Sequence, residues 1–201
     1  MKAHPGTNAD LDMDRLIANL QEAYKSMRDP VVTEMTLNER NPFKVLIATL
    51  LSLRTRDEQT RDAAARLFAL ADTPESMKKL DPETIEKAIF PVGFYRVKAQ
   101  RILEVCHQLI ERFDGDVPPD LDALLSLPGV GRKTANLVLT RGFNLPGICV
   151  DTHVHRISNR LGYVVSKHPD DTEKVLRQIL PLKYWIIYND LLVAYGQNIC
   201  T

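Results

Sequence analysis

At Asn41-Pro42, Thr73-Pro74 and Asp81-Pro82 a helix-capping residue is followed at once by proline. The cap's side chain accepts first-turn N–H groups, and proline, without an N–H and with φ locked near about −65°, suits the first helical position. Each pair therefore starts a helix. Such starts recur along the whole sequence, while strand signals scarcely appear. Leu16, Ile17, Leu20, Tyr24 and Met27 share one face of a helix beginning near Asp12 or Asp14. Asn41-Pro42 opens FKVLIATLLSL, which is apolar nearly all round and so predicted to run through a core. Asp57 is the expected cap of DEQTRDAAARLFALA. A longer helix is predicted from about Val97 to Phe113, stopping at Asp114-Gly115. Asp120 starts LDALLSL, and Pro128-Gly129-Val130-Gly131 breaks the chain before RKTANLVLTRGF. Asp151 starts THVHRISNRL, which ends at Gly162, and Pro169-Asp170 starts another helix. A last one is predicted from roughly Tyr184 to Tyr195, ending at Gly196. Short loops, no β-hairpin, no internal repeat and no flexible linker make this an all-α chain. Any division into two lobes must come from packing rather than from a tether.

Composition narrows the class. The 201 residues are 44% hydrophobic and 26% charged, which excludes disordered and collagen-like chains. No apolar run approaches the roughly 18 residues that span a bilayer. The start, MKAHPGTNADLDMDR, lacks the apolar core of a secretory signal. No membrane association and an intracellular setting, in the cytoplasm or nucleoid, are therefore expected. Cys106, Cys149 and Cys200 are widely spaced, odd in number and never in a CxxC pair, which argues for a reducing compartment.

Lysine plus arginine and aspartate plus glutamate both total 26, so the formal net charge is zero. A nucleic-acid partner has to be argued locally. Between Ser126 and Gly162, Arg132, Lys133, Arg141, Arg156 and Arg160 face only Asp151, a local charge of +4, with His153 and His155 in reserve. From Arg40 to Arg66, six bases stand against Asp57, Glu58 and Asp62, a local charge of +3. The N-terminal stretch is acidic by contrast, with Asp10, Asp12, Asp14, Glu22 and Asp29. Solvated helix faces produce such runs too, but segregation of this kind also suits a polyanion.

Leu127-Pro128-Gly129-Val130-Gly131-Arg132-Lys133 is the most informative stretch. An apolar helix, a PGVG turn and a basic helix leave a helix N-terminus whose backbone N–H groups and dipole favour an anion, with glycines that let a phosphate approach. Such a helix-hairpin-helix grips a nucleic-acid backbone without reading bases. Lys133 lies in the first turn of the second helix, where the dipole and Arg132 disfavour a second positive charge. A free lysine near about 10.4 would need to fall by two to three units to act as a nucleophile near neutrality. Asp151, in Val150-Asp151-Thr152-His153, is a natural N-cap, and a capping carboxylate stays ionised. An ionised carboxylate aimed at a sugar stabilises a developing oxocarbenium ion, so cap and catalyst are compatible roles. Cys149, Asp151, His153 and His155 do not make a metal site, because helical residues two apart lie about 200° apart around the axis.

With these residues in place, the chain resembles the endonuclease III family, bifunctional DNA glycosylases of the helix-hairpin-helix superfamily that carry a Gly/Pro-rich loop and an aspartate. LPGVGRKTANLVL followed by VDTHVHRISNR carries the resemblance, which runs from about Asn41 to Cys200 without insertions. It implies two α-lobes: residues 35–145, a six-helix lobe containing the hairpin at about 121–141, and residues 1–34 with 146–201, the second helical lobe. It implies that DNA lies across the cleft between them. It implies Lys133 as nucleophile and Asp151 as essential carboxylate. A damaged nucleotide would be flipped out, Lys133 would attack C1′, and the resulting Schiff base would permit β-elimination. The partner would be double-stranded DNA with damaged pyrimidines or abasic sites, and a monomer suits scanning.

The family's loop after the first core helix supplies a gap-filling glutamine, and Arg54 occupies that position here. Arginine favours guanine edges, so Arg54 is expected to contact the orphaned base. The family's apolar wedge falls in a Gly-x-Tyr loop, here Gly93-Phe94-Tyr95, where Phe94 is either wedge or core. The expected DNA-binding set is Arg54, Phe94, Lys98, Gly129, Val130, Gly131, Arg132, Thr134 and His153. Cys200 matches the first of four cysteines in the family's [4Fe-4S] loop. Four thiolates are needed for that cluster, so it is expected only if the native chain continues beyond Thr201, and the chemistry itself needs no cofactor. Two rivals stay open: a monofunctional adenine or mismatch glycosylase, which would typically lack Lys133 and use water, and a non-catalytic DNA-binding hairpin module.

Overall fold

A computed structural model describes residues 11–36 and 40–200; Asp10 of the acidic stretch lies outside them. In chain order the elements are α1 (Met13–Tyr24), α2 (Val31–Met35), α3 (Pro42–Ser52), α4 (Asp57–Leu70), α5 (Pro74–Met77), α6 (Pro82–Ile89) and α7 (Tyr95–Phe113). They continue with α8 (Leu121–Leu125), α9 (Arg132–Leu137), a π-helical turn Val138–Gly142, α10 (Thr152–Arg160), α11 (Pro169–Ile179), a 3-10 turn Leu182–Tyr184 and α12 (Trp185–Asn198). All regular structure among the described residues is helical. None of these helices is long and apolar enough to cross a membrane. The chain divides into two compact units, Val31–Leu145 and Met1–Pro30 with Pro146–Thr201.

In the first unit, α3 is the central rod. Asn41 caps it, accepting from Lys44 N–H, and Phe43, Val45, Leu46, Ile47, Ala48, Leu50 and Leu51 are all buried. That near-complete burial is the reason its sequence is apolar on every side. α2, α4, α7, α9 and the π-helical turn pack around it. Thr73 closes a capping box at α5, and Asp81 caps α6, as the cap-then-proline pairs require. α7 presents Lys98, Ala99, Ile102, Val105, Cys106 and Leu109 to the interior and ends at Asp114 and Gly115, both with positive φ. The second unit packs α10 against α12, α1 against α12 and α11 against α10. Its core joins Ile17 and Leu20 to Ile148, Val150, Val154, Ile157, Leu176, Tyr188 and Leu192.

Three expectations are corrected. Asp57 does not cap α4: Arg56 holds that position, and the Asp57 carboxylate instead accepts from Val31 N–H at 3.4 Å, at the start of α2. α2 itself was not among the expected helices, although Asp29-Pro30 precedes it. The last helix does not end at Gly196 but continues to Asn198, because that glycine makes room for a neighbour: a Cβ there would land on the His153 imidazole of α10. The second hairpin helix also carries the π-helical turn, within which the Thr140 hydroxyl donates to Asn136 O at 3.0 Å and Leu137 O at 3.2 Å. That turn seats Gly142 against Pro42, 2.9 Å from where its Cβ would reach the proline Cα.

Candidate functional site

The hairpin lies wholly in the first unit. α8, capped by Asp120, packs against α9, and the turn between them closes with Val130 N–H donating to Leu127 O at 3.2 Å. Gly129 has φ 74, a left-handed conformation that favours glycine. Gly131 sits at the N-cap of α9 and brings no side chain that could accept the first-turn N–H groups. Both glycines are exposed, Arg132 and Lys133 are half-buried, and Lys133 stands in the first turn of α9. Val130 and Thr134 are buried, so their side chains anchor the turn in the core. What these two positions offer a phosphate is main chain.

A second group in the same unit lies on two loops. Arg54 follows α3 and Phe94 precedes α7; both are exposed, and both have positive φ, 54° and 58°. The Arg54 guanidinium lies over the Phe94 ring, 5.8 Å from its centroid. Phe94 is 62% exposed, so it is not a core residue. Lys98 is placed otherwise than a DNA-contacting lysine would be. It is buried, and its Nζ donates to Leu51 O at 2.7 Å, Leu53 O at 2.6 Å and Thr55 Oγ1 at 3.1 Å. Burial lowers its pKa to about 8. Thr55 and Gly93 complete this cluster; the sequence pointed to Gly93 only as the first residue of the Gly-x-Tyr loop and not to Thr55. The legible signal was Lys98 itself, a lysine in register with Ile102, Val105 and Leu109 on the buried stripe of α7.

Asp151 belongs to the second unit. Its Oδ1 accepts from His153 N–H and Val154 N–H, both at 2.9 Å, so the carboxylate caps α10 as expected. The extended stretch before it, Ile148, Cys149 and Val150, is buried, and Asn189 donates to Cys149 O at 3.1 Å. Asp151 is thus fixed from both sides and stays half-buried. The His153 ring packs on Gly196, with Arg156 3.3 Å from its Nδ1, while Arg156 also reaches Cys200 O. His153 therefore joins α10 to α12 with its ring, while its N–H is capped by the Asp151 carboxylate. His155 Nδ1 pairs with Thr172 Oγ1 at 2.6 Å.

No group of three or more His, Cys, Asp or Glu among the described residues could hold a metal ion. The three thiols do not fit a four-thiolate cluster. Cys106 is buried in the first unit with its pKa pushed up to about 12, Cys149 is buried in the second, and Cys200 Sγ lies 3.0 Å from an Arg160 N–H.

Residues 47–182 match the family model described as HhH-GPD superfamily base excision DNA repair protein. Endonuclease III of Thermotoga maritima is 50% identical over 162 residues, covering 81% of this chain and 76% of that one. Endonuclease III of Escherichia coli K12 is 39% identical over 164 residues, 82% and 78% of the two chains. The fold is similar to that of a non-covalent endonuclease III–DNA complex, with TM-score 0.82 and 36% identity over 95% of this chain and 88% of that one. A trapped endonuclease III–DNA covalent intermediate, an estranged-adenine complex, matches with the same score and identity over 95% and 89%.

Proposed function

The chain belongs to the HhH-GPD superfamily of base excision DNA repair proteins, in its endonuclease III branch, and we propose that it is a bifunctional DNA glycosylase and AP lyase acting on oxidised pyrimidines and abasic sites in duplex DNA. The carrying observation is an amine, Lys133, in the first turn of the helix that the glycine turn opens. Gly129 and Gly131 let a phosphate approach the main chain at that helix start, which positions DNA without reading its sequence. The target nucleotide is everted, since C1′ is out of reach inside the stack.

In this reading the neutral Lys133 amine attacks C1′, and the bond to the base breaks with its electron pair leaving on the base, which takes up a proton. Asp151, its carboxylate fixed as a cap, stabilises the positive charge that builds on the sugar. The sugar ring opens to a protonated Schiff base on Lys133. That iminium acidifies C2′; loss of its proton expels the 3′ phosphate and cuts the strand. An amine and a carboxylate carry these steps. In this reading the protein works on duplex DNA inside the cell.

Borohydride trapping on a duplex holding one oxidised pyrimidine tests the reading. A covalent adduct that disappears in Lys133→Gln is expected. Base release without an adduct would support a monofunctional glycosylase, and binding alone a non-catalytic hairpin. Asp151→Asn separates cap from catalyst: asparagine caps about as well as aspartate, so the melting temperature should hold while base release falls by about 10²-fold or more. Unchanged base release in that variant would remove Asp151 from the chemistry.

A further inference from the structure

We infer that Lys98 and Thr55 form a buried staple that fixes the Arg54 loop and the Phe94 loop as one rigid element, and that they are positioning residues for engagement of DNA at the lesion. The inference rests on the reading proposed above. Its basis is how fully the polar groups are used. An ammonium has three donors, and Lys98 Nζ has three acceptors, Leu51 O, Leu53 O and Thr55 Oγ1. A hydroxyl has one donor and two lone pairs. The Thr55 hydroxyl donates to Leu53 O at 3.3 Å and accepts from Lys98 Nζ and from Gly93 N–H, the latter at 3.2 Å. Leu51 O lies at the C-terminal end of α3, where helix carbonyls lack intrahelical partners and a cation is favoured.

Gly93 shows how closely the two loops meet. A Cβ there would stand 2.7 Å from Arg54 O, a backbone atom that cannot swing aside. Arg54 and Phe94 each hold a left-handed conformation, which is disfavoured for a non-glycine residue and persists only where the surroundings fix it. The staple supplies that fixation, and what it holds outward is a guanidinium over an exposed aromatic ring. A core lysine that merely filled space would need no such set of partners. Burying an ammonium is costly unless every proton is bonded, as here.

The test compares two substrates on the 201-residue chain. A damaged base in duplex DNA requires a residue to fill the gap and face the orphaned base; a preformed abasic site in single-stranded DNA has no opposite base. Lys98→Met and Thr55→Val should each lower the ratio of duplex base release to single-strand trapping by about tenfold. Each should also flatten the preference among the four opposite bases. Thr55→Ser, which keeps the hydroxyl, should restore both. In the double variant Arg54→Ala/Lys98→Met the two losses should be less than additive, since Lys98 acts through Arg54 together with Phe94. If Lys98→Met fails to fold, Thr55→Val decides, because it leaves Lys98 its two carbonyl acceptors. An unchanged ratio, additive losses in the double variant, or a Thr55→Ser protein that behaves like Thr55→Val would overturn the staple. Failure of the unsubstituted protein to trap abasic DNA would instead refute the enzymatic reading on which it rests.

Discussion

Replacing Gly131 by alanine separates what the hairpin does for the fold from what it does for DNA. Gly131 has φ −95° and ψ 178°, open to any residue, and a Cβ there meets nothing within 4 Å among the described residues. Alanine is a poorer N-cap than glycine by about 0.5–1 kcal/mol, while the unfolded chain loses freedom worth about 0.4–1 kcal/mol in the opposite sense. The two nearly cancel, so the melting temperature should move by less than about 2 °C. Gly129 behaves differently. Its φ is 74°, and its Cβ would lie 2.9 Å from Arg101 Cδ. Left-handed alanine costs about 1–2 kcal/mol, and the flexible Arg101 can turn aside, so Gly129→Ala should melt about 2–8 °C lower.

On DNA the Gly131 variant should nonetheless suffer. A methyl group at the start of α9 stands where a phosphate oxygen would meet backbone N–H groups. Losing one hydrogen bond to a charged group is worth about 1.5–3 kcal/mol, or roughly 10- to 150-fold in Kd. The slope of log K against log salt should stay near the parental value, because the lost contacts are neutral N–H groups and no cation is removed. Fluorescence anisotropy with a duplex holding an abasic-site analogue, at several salt concentrations beside thermal melts, reads both. Parental affinity at every salt concentration would refute the phosphate role of the hairpin. A melt more than about 5 °C lower would show instead that the fold itself requires this glycine.

Gly196→Ala drives a methyl group into the His153 ring, an overpacking that should cost about 1–3 kcal/mol and lower the melting temperature by about 2–10 °C; a melt within 1 °C of the parent would show that α10 and α12 separate freely. Lys98 has its folded pKa lowered to about 8, below its unfolded value, so between about pH 8 and 10 the unfolded chain holds more protons and rising pH favours the fold. The unfolding free energy of the parent minus that of Lys98→Met should therefore rise by up to about 3 kcal/mol across that window, and a flat difference in denaturant titrations would contradict the burial of this ammonium.

How much of this was legible in the sequence follows from where each signal resides. Asn41, Thr73, Asp81, Asp120 and Asp151 each cap the helix they precede, because a cap is a contact within three residues and local sequence contains all of it. Asp57 shows the same residue type at a helix start put to another use. Its partner, Val31 N–H, lies 26 residues away, and no local pattern encodes that choice. Gly196 reads as a helix stop for the same reason: the imidazole that needs its space comes from another helix. The hairpin was legible because the turn, its glycines and the lysine are contiguous. The staple was not, since it joins Leu51, Leu53 and Thr55 to Gly93 and Lys98 across about forty residues of chain.

Charge is where local reading and structure part furthest. The segment from Arg40 to Arg66 carries a formal +3, yet several of its bases already have partners inside the protein. Arg61 pairs with Glu34, Lys44 lies 3.5 Å from Asp72, and Arg66 donates to Ala88 O and Phe90 O. In the segment from Ser126 to Gly162, Arg156 binds Cys200 O and Arg160 its Sγ. Arginines that tie down carbonyls at helix ends contribute field but no phosphate contact, so summed charge overstates the footprint. Arg54 and Arg56 on the loop after α3 stay exposed, and Arg54 leans over an exposed ring beside the stapled turn. A protein that finds one wrong base among many right ones needs a few charges held at known places more than it needs a basic surface. A neutral chain that commits a buried lysine to positioning one exposed arginine is built in that way.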